Sequence, residues 1–252
     1  MMVRRVVIKA SDVAACTGLN PYKAASEVRD ELWKKYFGAT FQGQTKEDLA
    51  HEALSKSVGA QKILSEVLNT KAKDSTEAQA TFEKARAKIE ADETVSPEDR
   101  KKIIEHVRSR CYTAHGTRSE DRTAQKVETD EKTTLVKDNA FYTLVVKNID
   151  ETEYVITGKI DRLEISPDGA KTLVEIKNRT RGLFREVRDY ENVQIQVYLR
   201  MLGLVRAKLV EQYNEKTNTL LVTRDEDLWT NVIWPRLVTF CEDLHSAASG
   251  AK

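Results

Sequence analysis

Two carboxylates and a lysine are predicted to meet on a hairpin in the second half of the chain. Residues 166–169, Ser-Pro-Asp-Gly, are a strong turn signal, so the strands on either side should pair. This pairing puts Asp161 within about a residue of the position opposite Glu175, and cross-strand neighbours lie roughly 5 Å apart. Lys177, two residues after Glu175, points to the same face. Like charges repel at that distance unless protons or cations neutralise them, and Mg2+ prefers oxygen ligands, so the pattern indicates a divalent-metal site.

A solvated sheet face would show the same alternation of charged and apolar residues. Glu175 and Lys177 alone fit that simpler interpretation. Their neighbourhood favours the metal site, because Gly158 precedes the first carboxylate and a predicted helix after the hairpin carries Gln194 and Gln196.

The spacing of apolar residues predicts the elements that position these groups. A period of two predicts strands at residues 6–9, 133–136, 141–146, 154–165, 172–177, 209–213 and 219–223. A helical period predicts helices at residues 24–36, 190–202 and 225–248, and a helical block over residues 41–127. We expect Ser11 to cap a short helix, and Ser96 with Pro97 to begin another helix within the block.

Composition narrows the class of protein. The 252 residues are 40% apolar and 32% charged with a net charge of +1, which argues against a membrane-spanning chain and a globally basic nucleic-acid coat. Cys16, Cys111 and Cys241 form no CxxC, which argues against a disulfide framework, a zinc ribbon and a Cys-ligated iron-sulfur cluster. We therefore expect a soluble intracellular protein, of cytoplasm or nucleus, without a secretion signal.

The hairpin motif resembles the signature of the PD-(D/E)XK nuclease superfamily. That signature is an acidic residue, a short gap and then Glu-x-Lys on adjacent strands, and Asp161, Glu175 and Lys177 match it. The glutamine-bearing helix is matched too. The resemblance implies an α/β fold of the restriction-endonuclease type, with a mixed β-sheet flanked by helices, and it implies phosphodiester hydrolysis.

Further motifs resemble the phage lambda-type exonuclease and YqaJ-like viral recombinase branch of that superfamily. This branch carries an arginine, then alanine-serine, a short helix and a glycine, which Arg4, residues 10–12 and Gly18 match. It also carries a helix with glycine and glutamate four residues apart, matched by Gly116 and Glu120. Residues 41–110 lie outside these matches, so we expect one nuclease domain over residues 1–252 with a helical insertion at 41–110.

The resemblance assigns roles to the residues of the hairpin and its neighbours. The implied catalytic groups are Asp161, Glu175, Lys177, Glu120 and Gln194. One or two Mg2+ ions, for which Mn2+ would substitute, would be held by the carboxylates of Glu120, Asp161 and Glu175 and the main-chain carbonyl of Ile176. Lys177 would position or help deprotonate the attacking water, and Gln194 would orient the lysine, the water or a phosphate oxygen.

Six residues are candidates for contacting the nucleic acid. They are Arg4, Ser11, Arg118, Arg179, Arg181 and Gln196. Simpler roles stay open for most of them: an N-cap for Ser11, a pair with Asp121 for Arg118, a solvated loop for Arg179 and Arg181, and a polar core contact for Gln196.

The function implied by the resemblance is a Mg2+-dependent DNA exonuclease that works from DNA ends, 5' to 3' on duplex DNA, in recombination, repair or viral DNA processing. Two alternatives remain: a structure- or site-specific endonuclease of the same superfamily, and a non-catalytic DNA-binding module. The implied partners are DNA with a free end, a single-strand annealing protein and further copies of the chain, without a membrane.

Overall fold

A computed structural model describes residues 3–250 of the chain. Its strands are β1 (Arg4–Lys9), β2 (Leu135–Val136), β3 (Tyr142–Ile149), β4 (Thr152–Gly158), β5 (Arg162–Ile165), β6 (Lys171–Asn178), β7 (Arg206–Tyr213) and β8 (Lys216–Thr223). Its α-helices are α1 (Val13–Cys16), α2 (Ala25–Phe37), α3 (Lys46–Ser55), α4 (Val58–Asn69), α5 (Ser75–Glu90), α6 (Pro97–Glu131), α7 (Asp189–Leu202), α8 (Glu226–Leu228) and α9 (Trp234–Ser249). No helix among these is long and apolar enough to cross a bilayer.

Within residues 3–250 the strands form two mixed sheets flanked by helices. The three-stranded sheet has the order β1-β4-β3, and the five-stranded sheet has the order β2-β5-β6-β7-β8. β1 runs parallel to β4 and β6 runs parallel to β7, whereas the other pairs are antiparallel. The predicted fold class, a mixed sheet flanked by helices, is confirmed.

The single strand predicted over residues 154–165 is wrong, because the chain changes sheets in the middle of it. β4 ends at Gly158 and β5 begins at Arg162 in the other sheet. A Cβ atom at Gly158 would lie 2.5 Å from the ring of Tyr198 and 2.7 Å from the Cβ of Ala10, so no side chain fits there. The Tyr198 hydroxyl donates to the carbonyl of the next residue, Lys159, at 2.9 Å. This close packing fixes the place where the chain leaves the first sheet.

The hairpin between β5 and β6 is confirmed. The Gly169 N–H donates to the Ser166 carbonyl at 2.8 Å, which closes the predicted turn. Arg162 lies opposite Val174 in the register, so the residue before Arg162 faces the neighbourhood of Glu175. The turn sequence thereby determines which carboxylates meet.

The predicted helical block forms α3 to α6 and has a hydrophobic core of its own. Leu54, Phe82, Ile89, Ile103 and Val107 are among its buried residues. The last helix, α6, has 35 residues, and the Ser96 side chain accepts a hydrogen bond from the Asp99 N–H at its start, as predicted.

α6 also reaches the five-stranded sheet, because its later turns leave the core of the helical block. Ala124 and Val127 pack there against Val174 and Ile176 of β6. At about 1.5 Å per residue the helix is roughly 50 Å long, enough to join the two cores. It therefore links the helical block directly to the strand that carries Glu175.

Two local predictions near the chain ends are wrong. Ser11 does not cap a helix: it is exposed and lies inside a 3-10 turn (Ala10–Asp12) that precedes α1, with no capping hydrogen bond from a side chain. The helix predicted over residues 225–248 is interrupted, because Trp229–Ile233 form a π-helical turn between α8 and α9. Pro235 follows that turn, and a proline lacks the N–H that a regular helix would need.

Candidate active site

A cleft of about 960 Å³ opens between α6, the β5–β6 hairpin and the first turns of α7. All the residues predicted to be catalytic or metal-binding line it: Glu120, Asp161, Glu175, Ile176, Lys177 and Gln194. Gly116 lines it one turn before Glu120 on α6, and a Cβ atom at Gly116 would meet no atom within 4 Å. The fold thus brings groups from strand β6, from the residue before β5 and from helices α6 and α7 to one place.

Asp161 and Glu175, here termed the acid pair, are close together and largely withdrawn from water. Asp161 precedes β5, and its Oδ2 accepts a hydrogen bond from the Ile176 N–H at 2.7 Å. Glu175 is only 3% exposed. Its Oε1 accepts from the Lys177 ammonium at 2.8 Å, whereas its Oε2 is buried with no hydrogen-bond partner among residues 3–250. An unpartnered buried carboxylate oxygen is costly, unless a further cation or donor binds it.

The electrostatics of the acid pair favour a bound proton or cation. Burial and the charge of Glu175 raise the pKa of Asp161 from its ordinary value to about 8. Burial acts to lower the pKa of Lys177, but the charges of Glu175 and Asp161 outweigh it and raise that pKa above its usual range. Lys177 is therefore a firmly charged ammonium at neutral pH and acts as a donor.

Gln194 reaches the lysine from α7. Its Oε1 accepts from the Lys177 ammonium at 3.1 Å, so the lysine donates both to the acid pair and to the amide. Two acceptors from different elements fix the ammonium in one orientation. The lysine-orienting role of Gln194 requires such a contact and stays a prediction.

Glu120 comes to the cleft from α6 and is held by an arginine that the sequence analysis did not single out. Arg162 is buried, and its guanidinium donates to Glu120 Oε1 at 2.6 Å and to the Asp161 carbonyl at 2.5 Å, and also to Asp121. Arg162 thus ties α6 to the start of β5. The signal for it was slight: a basic residue directly after Asp161, at a strand position that also fits a surface lysine or arginine.

The donor set fits a divalent cation without forming a complete cluster of three acidic side chains. Within residues 3–250, no three His, Cys, Asp or Glu side chains are grouped as a metal-binding cluster, and Glu120 is instead paired with Arg162. The acid pair and the Ile176 carbonyl supply oxygen donors, which is the chemistry that Mg2+ and Mn2+ accept. The free Oε2 of Glu175 is the atom that most needs such a partner.

Arg179, predicted to contact DNA, is instead committed to an internal ion network. Its guanidinium donates to both oxygens of Glu191 at 2.5 and 3.0 Å and to Glu211 Oε1 at 2.8 Å. We term these three residues the arginine cluster. The side chains are between 0% and 9% exposed, and three of the five guanidinium N–H groups are bound to these carboxylates, so Arg179 has a structural role although it lines the cleft. No local pattern indicates this cluster, because Glu191 and Glu211 lie 12 and 32 positions away from Arg179 in the sequence.

Two further DNA-contact predictions are replaced by structural roles. Gln196 donates to the Thr223 carbonyl at 2.9 Å and accepts from the Asp225 N–H at 2.8 Å, so it joins α7 to the end of β8. Arg118 donates to the carbonyls of Leu68 at 2.5 Å and Thr70 at 2.7 Å, where α4 ends. Free carbonyls at a helix end are natural partners for an arginine.

The remaining candidates lie outside the cleft lining. Arg4 places its guanidinium over the ring of Phe37, 4.6 Å from the centroid, and neither Arg4 nor Ser11 lines the cleft. Arg181 is exposed on the loop after β6, and its charge acts on Tyr112, which lines the cleft. Arg181 therefore remains the candidate phosphate contact at the cleft mouth.

Tyr22 is a second residue that the sequence analysis missed. It is 75% exposed, lines the cleft and pairs edge-to-face with Tyr190. It follows Asn20-Pro21, which is a pattern typical of a helix end, and nothing local indicates that the loop reaches the cleft.

Comparison with known proteins identifies the family. The family model of the PD-(D/E)XK nuclease superfamily matches residues 37–227. No curated protein matches the chain significantly. Among solved structures, an alkaline exonuclease (LHK-Exo) from Laribacter hongkongensis is similar at 13% identity with a TM-score of 0.43, covering 81% of this chain and 95% of that one. A phage-related exonuclease from Haemophilus somnus 129PT is similar at 14% identity with a TM-score of 0.39, covering 55% of this chain and 72% of that one. With three quarters of the chain inside the family match, and with the acid pair and lysine at the signature positions, the chain belongs to the PD-(D/E)XK nuclease superfamily.

Proposed function

We propose that the protein is a metal-dependent deoxyribonuclease that hydrolyses phosphodiester bonds from DNA ends. The observation that carries the proposal is the acid pair beside Lys177, in which the buried Glu175 Oε2 has no hydrogen-bond partner within residues 3–250. Such a set of oxygens attracts a divalent cation, and a cation there would attract the scissile phosphate.

Asp161, Glu175 and the Ile176 carbonyl would hold one or two Mg2+ ions, and Mn2+ would substitute. The metal would supply Lewis-acid stabilisation of the phosphate charge and a more acidic water. Lys177 would hold the attacking water or a phosphate oxygen by donating a hydrogen bond. Gln194 keeps the lysine in place, since its carbonyl oxygen lies 3.1 Å from the ammonium.

Glu120 is proposed as the third carboxylate of the site. Arg162 binds its Oε1 and therefore orients the side chain along the cleft rather than leaving it free to rotate. In this arrangement Arg162 is a positioning residue, because it contacts Glu120 and the Asp161 main chain and does not itself line the cleft.

The preference for DNA ends rests on the sequence motifs shared with the lambda-type and YqaJ-like branch. The same resemblance supports 5' to 3' action on duplex DNA, a role in recombination, repair or viral DNA processing, and a single-strand annealing partner and self-assembly. Gly116 fits this proposal, because it leaves open space one helical turn from Glu120.

The test is digestion of end-labelled linear duplex DNA and covalently closed circular DNA, with Mg2+ or with EDTA, by the wild type and by Asp161→Asn. We expect metal-dependent loss of linear DNA alone, absent in the variant, and the surviving label gives the polarity. Cleavage of the circle would favour the endonuclease. Absence of cleavage with DNA still bound would overturn the proposal in favour of a binding module.

A further inference from the structure

We propose that Tyr22 and Tyr190 form a platform that stacks an unpaired nucleobase next to the bond that is cleaved. The inference deepens the proposed function and rests on it. The ligand class is the base of one nucleotide in a single-stranded DNA end, held by its aromatic face rather than by sequence-specific hydrogen bonds.

Tyr22 is placed in the cleft by a rigid turn. It follows Asn20-Pro21, and its N–H donates to the Asn20 side-chain oxygen at 2.9 Å, which fixes the backbone. The ring is nevertheless 75% exposed and lines the same cleft as the acid pair. A large aromatic side chain that is mostly exposed to water contributes little to the core, and such exposure is the informative exception among apolar residues.

Tyr190 supplies the second ring of the platform. The two ring centroids are 5.7 Å apart and the ring planes make an angle of 85°, so the rings form a corner. A base can lie flat on one ring of such a corner while its edge meets the other ring.

The platform lies close to the reaction centre. Tyr190 precedes Gln194 by one turn of α7, a rise of about 6 Å. Gln194 contacts Lys177, and both tyrosines line the same cleft as the acid pair.

The aromatic platform and a nearby cation favour a nucleic acid strand as the occupant. Arg108 lines the same cleft and provides a cation for a phosphate next to a stacked base, whereas Lys46, also in the lining, is paired with Glu105 at 3.4 Å. A base inside a duplex has both faces covered by its neighbours, so a protein ring can stack only on a base that is unpaired or terminal. Stacking of this kind tolerates any base, because every base has a π-face.

The experiment measures equilibrium binding of 3'-fluorescein-labelled oligo(dT) by anisotropy, with Ca2+ as the only divalent cation and gel analysis confirming intact DNA. A matched series carries one abasic site at each position in turn. The proteins are the wild type, Tyr22→Leu, Tyr22→Phe and Phe141→Leu. Phe141 is the control because it is 72% exposed and does not line the cleft.

We expect one abasic position to weaken wild-type binding roughly 5- to 100-fold. Tyr22→Leu should weaken binding of the intact strand to a similar extent, and the abasic site should then cause no further loss. Tyr22→Phe and Phe141→Leu should behave as the wild type. Equal binding of all strands by the wild type and Tyr22→Leu, or no binding by the wild type, would overturn the inference.

Cleavage of the same strands with Mg2+ separates this inference from the proposed function. Cleavage that is insensitive to Tyr22→Leu and to abasic sites would contradict the stacking platform but would still support the proposed nuclease function. Base-dependent binding without any cleavage would support the stacking platform but would contradict the proposed nuclease function.

Discussion

Two charged groups of residues meet at the end of strand β6, and they differ in how completely their charges are satisfied. In the acid pair, one buried carboxylate oxygen has no partner in the described part of the chain, and the pKa of Asp161 is raised to about 8. In the arginine cluster, the guanidinium binds two carboxylates, and Glu211 also accepts from the N–H groups of Phe184 and Arg185. A carboxylate with an unpartnered oxygen can still bind a cation or a hydrogen-bond donor, whereas a fully paired ion network stabilises the fold.

The comparison also explains why two basic residues two positions apart have different functions. Lys177 faces the cleft and donates to one carboxylate and one amide. Arg179 also borders the cleft, but its side chain is only 9% exposed and its charge is neutralised by carboxylates from α7 and β7. Removing the lysine should therefore impair chemistry, and removing the arginine should impair stability.

The largest effect is expected for Lys177→Met. Without the ammonium, nothing donates from this position to the attacking water or phosphate, so we expect the rate of DNA hydrolysis to fall about 10³-fold or more. Lys171→Met is the matched control, since Lys171 lies exposed at the other end of β6. Steady-state rates on linear duplex DNA provide the measurement. Activity within a few-fold of the wild type would remove Lys177 from the chemistry.

The next largest effect is expected for Arg179→Met. This change leaves Glu191 and Glu211 buried without their cation, which costs about 3–5 kcal/mol in the free energy of unfolding. Urea denaturation should show that loss, while Arg181→Met on the same loop should show none, because Arg181 is exposed. The folded fraction of Arg179→Met should still cleave DNA. An unchanged stability would mean that the arginine cluster is not structural.

The free energy of unfolding of the metal-free protein should depend on pH through Asp161 of the acid pair. The folded-state pKa of Asp161, about 8, lies above its ordinary value, so the folded protein holds a proton that the unfolded chain releases. The contribution of Asp161 to stability is therefore present at low pH and is lost as pH rises from about 4 to about 8.

In the proposed function Mg2+ would displace that proton, so its affinity should rise with pH, by up to tenfold per unit, and level off above about pH 8. Isothermal titration calorimetry between pH 6 and 9 gives the affinity. In Asp161→Asn the slope should disappear, and an unchanged slope would contradict the assignment to Asp161.

A smaller effect is expected for Gly158→Ala, which tests how the two sheets are joined. The added methyl group would meet the Tyr198 ring and Ala10 at less than 3 Å, so overpacking should cost about 1–3 kcal/mol. Thermal denaturation of this variant and of Gly169→Asn, at a turn glycine with open surroundings, provides the comparison. Equal stability of Gly158→Ala and the wild type would show that β4 can shift away from α7.

The features predicted correctly from sequence are those specified by nearby residues. The turn at residues 166–169 and the alternation along β6 lie within one hairpin, so the meeting of Asp161 and Glu175 could be inferred. Ser96 and Pro97 are local signals too, and α6 begins where they indicate.

The features that were missed depend on partners remote in sequence. Arg162 is separated from Glu120 by 42 positions, and Arg179 is separated from Glu211 by 32, so neither pairing is visible in a local pattern. The end of β4 at Gly158 is imposed by Tyr198, which comes from another element. Local sequence therefore predicted the acid pair, whereas the residues that support it required the structure.

The most direct test of the account is the activity of Glu175→Gln, with its stability measured on the same sample. Glutamine keeps the shape of the side chain, but an NH2 group replaces one carboxylate oxygen. The buried negative charge and one oxygen ligand for a cation are therefore lost. We predict a folded protein with Mg2+-dependent DNA hydrolysis reduced about 10³-fold or more. Full activity in Glu175→Gln would contradict the claim that the incompletely satisfied acid pair is the reaction centre.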